Sequence, residues 1–110
     1  MIADEHEQRF ASFALAHGGL ARVDLQRGDT AGAMRESGTA VEQFEKVTGR
    51  RDVRAGPYLW LIHAQALRRS GDVRQAHDWA QRALDASRTY DAPEAESIRD
   101  AEAALRQTAL

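Results

Sequence analysis

The sequence predicts an all-α fold built from stacked helical hairpins, and three observations predict it. Alanine, leucine, arginine, glutamate and glutamine dominate the chain while β-branched residues are few, a bias that favours helix throughout. Two Gly-Asp breaks, Gly28-Asp29 and Gly71-Asp72, each separate two stretches with apolar residues at helical spacing. The stretch 58–86 shows the unit most clearly: Trp60, Ala64 and Leu67 share one helical face, and after the break Ala76, Ala80, Ala83 and Leu84 form a stripe of small residues. Small residues let two backbones approach closely, so the partner of the second helix is the first.

Taken in order, helix one starts with Asp4 as N-cap and Glu7 in the capping-box position, and ends near Arg27. Its expected apolar face is Phe10, Phe13, Ala14, His17, Leu20 and Ala21. Gly18 and Gly19, costing about 1 kcal/mol each relative to alanine, are read as a place of close helix packing. Gly28 is the C′ residue, and Asp29 or Thr30 caps helix two, expected over 31–47. Ala33, Ser37, Ala40, Val41 and Phe44 form its buried stripe, with Gly32 and Gly38 again allowing close approach. Gly49 ends it, and a short, polar, basic loop runs to Gly56. Pro57 suits the first turn of helix three, where its missing N–H costs nothing. Helix three, expected over 58–69, begins with five consecutive apolar residues; no single stripe accounts for five, so it should be contacted on several sides. Helix four follows over 73–88. A cap helix over about 92–108 turns Ala95, Ile98, Ala101 or Glu102, and Leu105 inward.

The totals narrow the function classes. A chain of 110 residues is one domain, and 43% hydrophobic content with two prolines argues against disorder. A net charge of −2 gives no electrostatic reason to expect nucleic acid or an anionic membrane. Basic charge comes from fourteen arginines and Lys46, and arginine preference alone specifies no ligand. Without cysteine there is no disulfide frame, thiol nucleophile or cysteine-based zinc site. The acidic start MIADEHEQRF lacks the n- and h-regions of a signal peptide, and no apolar run has the length of a membrane span. A cytoplasmic helical domain is expected.

The search for chemistry returns little. Asp4-Glu5-His6-Glu7 reads as an acidic helix start and no metal site. His17, His63 and His77 lack di-iron or zinc-protease spacing, and His63, set amid apolar residues, reads as a hydrogen-bonded core histidine. Gly-Asp-Thr-Ala-Gly at Gly28 lacks the Walker ending, and no serine sits in a nucleophile elbow. Arg50, Arg51 and Arg54 are the one nucleic-acid candidate, a weak one beside the net charge. No enzyme, no cofactor and no metal are therefore expected.

Aligning the two Gly-Asp breaks sets Leu20-Ala21 on His63-Ala64, Ala33 on Ala76, Ser37 on Ala80, and Ala40-Val41 on Ala83-Leu84. Trp60, Ala64, Leu67, Gly71, Ala76, Ala80 and Ala83 resemble, in order, the pattern of the tetratricopeptide repeat. The earlier copy has His17 for Trp60 and Asp24 for Leu67. The breaks lie 43 residues apart against a usual period of about 34, so the likeness is to a long-period variant common in bacterial regulators. Repeat one would cover 4–48, repeat two 57–88, and the cap 92–108.

The resemblance implies a right-handed stack of antiparallel helix pairs whose concave face, made by the first helix of each pair, binds a peptide or partner protein without chemistry. By repeat position that face would carry Leu15, Arg22, Leu25 and Gln26 from helix one, and Tyr58, Leu61, Gln65, Arg68 and Arg69 from helix three. An apolar floor with arginine and glutamine groups suits an extended acidic or C-terminal segment. The carboxylate clamp of chaperone-binding members has no counterpart, since Gly18 and Arg22 occupy the matching positions. Arrays usually need three units, so the alternative is self-association as a homodimer, favoured if Phe10, Phe13, Ile98 and Leu105 are exposed.

Overall fold

The computed structural model describes residues 5–46, 55–90 and 95–108. Asp4, Gly49, Arg50, Arg51, Arg54 and Pro93 lie outside the described residues, as do the side chains of His6 and Glu7. Five helices occupy the described chain: α1 Glu5–Arg27, α2 Thr30–Glu45, α3 Ala55–Ser70, α4 Val73–Tyr90 and α5 Glu96–Gln107.

Both Gly-Asp breaks close in the same way. Gly28 and Gly71 hold φ of +79° and +98°, a region open to glycine. Asp29 N–H donates to Asp24 O and Asp72 N–H to Leu67 O, satisfying the last carbonyls of α1 and α3. Each aspartate then turns its carboxylate to the next helix: Asp29 accepts from Gly32 N–H at 2.9 Å and Asp72 from Gln75 N–H at 3.1 Å. The short turns bring each pair of flanking helices back alongside each other. His17 therefore faces Glu36 across α1 and α2, and Trp60 faces Arg82 across α3 and α4.

Helix α3 touches all four others, as its unbroken apolar run requires. Along the chain each helix packs on the next, and α1 and α5 also pack on α3, whereas the backbones of α2 and α4 do not approach each other among the described residues. A side-chain ion pair, Arg82 to Glu45 at 3.0 Å, spans that gap. The shortest dimension of the molecule, 20 Å, is two helices thick. The main core joins Phe44, Leu59, Trp60, Leu84 and Ile98 with buried alanines, and a smaller cluster joins Ala64, Ala80 and Ala104 at the α3–α4–α5 junction. All five stripe residues of α2 are buried, and so are the positions aligned with them, Ala76, Ala80, Ala83, Leu84 and Ser87.

Several expectations are corrected. The buried side of α1 is Ala14, Gly18, Ala21 and Leu25; Phe13 and Leu20, expected inside, are each 51% exposed. The cause is the shape of α3. Its Leu59 needs the notch at Gly18, where an added Cβ would stand 2.5 Å from Leu59 Cδ2. Gly19 and Gly38 make no close approach, since a Cβ on either would meet nothing within 4 Å. Helix α3 begins earlier than expected, so Gly56 is a buried helical residue; a Cβ there would stand 3.1 Å from the Trp60 ring. Leu25, assigned to the concave face, is a core residue packed with Ile62 and Ala66.

Candidate functional site

His17 and Asp24 fix which side of α1 faces α2. His17 Nδ1 pairs with Glu36, and the Asp24 carboxylate lies beside Gly32. Leu15, Arg22 and Gln26, seven and four residues apart, share a different side of α1, and all three are exposed. On α3, Tyr58, Leu61, Gln65, Arg68 and Arg69 share one side at helical spacing. Tyr58 and Arg69 are exposed; Leu61, Gln65 and Arg68 are half-buried.

The α3 row runs alongside α1. The Tyr58 ring would be 3.7 Å from a Cβ on Gly18, and Arg69 Nη1 donates to Leu25 O about two turns further along α1. Contacts at Gly18 and Leu25 pair with successively later residues of α3, so α1 and α3 run parallel. Leu15 at 41% and Tyr58 at 36% are the exposed apolar members of these two rows, which otherwise carry guanidinium and amide groups and the half-buried Leu61. Arg69 is committed to the fold there: it caps the last turn of α1, where a cation also complements the helix dipole. Arg68 Nε is buried and has no hydrogen-bond partner among the described residues.

Three polar arrangements stand out, one of them giving His63, expected as a hydrogen-bonded core histidine, a partner that the sequence reading did not name. The Ser37 hydroxyl and His63 Nδ1 lie 2.7 Å apart, and the His63 ring meets Trp79 edge-on at 5.2 Å. Burial pushes the His63 pKa below its usual 6.5. Ser37 is only 1% exposed, and its contact with the half-buried His63 joins α2 to α3. The signal was present: Ser37 stands where the second repeat has Ala80, and a hydroxyl on a small-residue stripe needs a partner. The second arrangement is the His17–Glu36 pair. In the third, the Arg82 guanidinium lies 4.1 Å from the centroid of Trp60 and 5.1 Å from that of Trp79, pinning α4 to α3. Among the described residues no three His, Cys, Asp or Glu side chains converge as metal ligands.

No described helix is long and apolar enough to cross a membrane. No family model matches the sequence, and comparison with curated proteins and with solved structures returns no significant match.

Proposed function

We propose that the chain is a non-catalytic interaction domain of tetratricopeptide-like architecture that takes a peptide or partner protein on the α1–α3 face. The observation that carries the reading is the pair Leu15 and Tyr58, apolar and exposed, on the surface shared by these two helices. Arg22, Gln26, Gln65 and Arg68 stand around them. Packing supports a hollow at this place. The first helices of successive units touch, α1 on α3 and α3 on α5, while α2 and α4 stay apart, which bends the two layers toward the odd-numbered helices. The like hydrogen bonds of Gly28 with Gly71 and of Asp29 with Asp72 support the repeat. Guanidinium groups beside an apolar floor suit an extended segment with carboxylates or a free C-terminus.

The test is selection from a displayed library of extended peptides. Captured sequences should be rich in aspartate and glutamate or end in a free carboxylate. Combining Tyr58→Ala with Arg22→Glu should weaken them by about ten-fold or more with helicity unchanged. Capture that is indifferent to both changes would remove this face from consideration. Arg69 is left out of the test because it also holds α1.

Self-association is the second reading. Of the four residues whose exposure would favour it, Phe13 is exposed, Phe10 and Leu105 are half-buried, and Ile98 is buried.

A further inference from the structure

Helix α1 carries a second apolar surface, distinct from the Leu15–Tyr58 face. Phe13, Ala16, Leu20 and Val23 repeat at spacings of three, four and three, and all four are exposed; Phe13 and Leu20 are each at 51%. That spacing draws a straight seam along a helix, of the kind a second helix packs against. The repeat says what such a seam does elsewhere in this chain. Aligned on the Gly-Asp breaks, the four residues correspond to Gly56, Leu59, His63 and Ala66 of α3. On α3 this surface receives the preceding hairpin: Leu59 packs at Gly18 of α1, Gly56 faces Phe44 of α2, and His63 bonds Ser37 of α2. On α1 the equivalent surface is bare.

Charge selects the occupant. Arg9 and Arg27 continue the seam at its two ends, about 27 Å apart along the axis. Both are exposed and neither has an ion-pair partner among the described residues, and among the described side chains of α1 the other exposed charge, Arg22, is also an arginine. A second copy fits badly: in a two-fold antiparallel pairing centred on the seam, Arg9 of one chain meets Arg27 of the other at both ends. The geometry points to a different chain: an amphipathic helix with apolar residues at three- and four-residue spacing and carboxylates at each end of its seam.

The probe is a pair of synthetic amphipathic peptides about five helical turns long. Both carry leucine at i, i+3, i+7 and i+10; one has glutamates and the other lysines at the ends and flanks. Fluorescence anisotropy at low salt should show saturable binding of the glutamate peptide and about ten-fold or weaker binding of the lysine peptide. Leu20→Glu should abolish binding, Tyr58→Ala should leave it unchanged, and combined Arg9→Glu and Arg27→Glu should reverse the preference. Leu20, Arg9 and Arg27 are exposed, so circular dichroism should show these variants folded. Equal binding of the two peptides, no binding of the glutamate peptide, or loss with Tyr58→Ala alone would overturn the proposal. So would a solution mass twice 12.2 kDa that Leu20→Glu returns to one chain, since the seam would then belong to a second copy.

Discussion

A methyl group added at Gly18 would stand 2.5 Å from Leu59 Cδ2, whereas one added at Gly19 would meet nothing within 4 Å. Gly19→Ala should therefore stabilise the chain by about 0.5–1 kcal/mol, the ordinary helix-propensity gain. Gly18→Ala gains the same propensity but overpacks a buried leucine, a cost of about 1–3 kcal/mol, so the net effect is a loss. Urea midpoints of the two variants should move in opposite directions, and equal shifts would contradict the notch. His63 supplies a second test at this scale. Its pKa is lowered by burial, so the unfolded chain binds the proton more readily than the folded one. The stability that His63 contributes is complete above pH 6.5 and falls as the pH drops below it. Unfolding midpoints measured between pH 7.5 and pH 5 should fall more steeply for the natural chain than for His63→Leu. Parallel profiles would mean that the Ser37–His63 contact is indifferent to the proton.

At the scale of the element, the helices α2 and α4 were the most legible. Each has a stripe of small and apolar residues on one side and mostly polar residues elsewhere, so one rotation alone buries the stripe. Ala80 is fully buried against Ala64 and Ala104, at a junction of three helices with no room for a longer side chain. Ala80→Glu should cost more than about 3 kcal/mol and abolish the cooperative thermal transition, because it strands a carboxylate without a partner. Asp78→Glu, on the exposed side of the same helix, should leave the melt unchanged. Helix α1 was legible in extent and illegible in rotation. It has large apolar residues around most of its circumference, and periodicity cannot choose among them. The choice was made by α3, whose Leu59 requires Gly18 opposite it. The consequence is two exposed apolar surfaces on α1 where the periodicity suggested one buried face.

At the scale of the molecule, packing is uneven between the two layers, and that unevenness gives the α1–α3 face its interest. Helices α1, α3 and α5 are in contact in series, while the α2 and α4 backbones stay apart and meet only through side chains, in the shared core and in the Arg82–Glu45 pair. The ends of the stack also differ. At the α5 end, Ile98, Ala101 and Ala104 are turned inward and Glu96, Arg99 and Asp100 outward, which ends the array in polar groups. At the α1 end, Phe13, Leu20 and Val23 remain in the open. Peptide capture on the shared face and helix docking on the α1 seam are thus predictions about different surfaces. Tyr58→Ala and Leu20→Glu separate them.

By itself the sequence determined the helical class, the two Gly-Asp turns, the central place of α3 and the stripes of α2 and α4. Each follows from local chemistry: glycine's access to positive φ, aspartate's reach to a helix N-terminus, and small residues on one side of a helix. That Leu15, Arg22 and Gln26 share one side of α1, and Tyr58, Gln65 and Arg68 one side of α3, was also legible, because residues at fixed helical spacing share a side. Only the tertiary structure decided the rotation of α1, the removal of Leu25 to the core, the capping duty of Arg69 and the pairing of Ser37 with His63. These depend on which surfaces of distant segments fit together, and that complementarity is not encoded in the periodicity of any one segment.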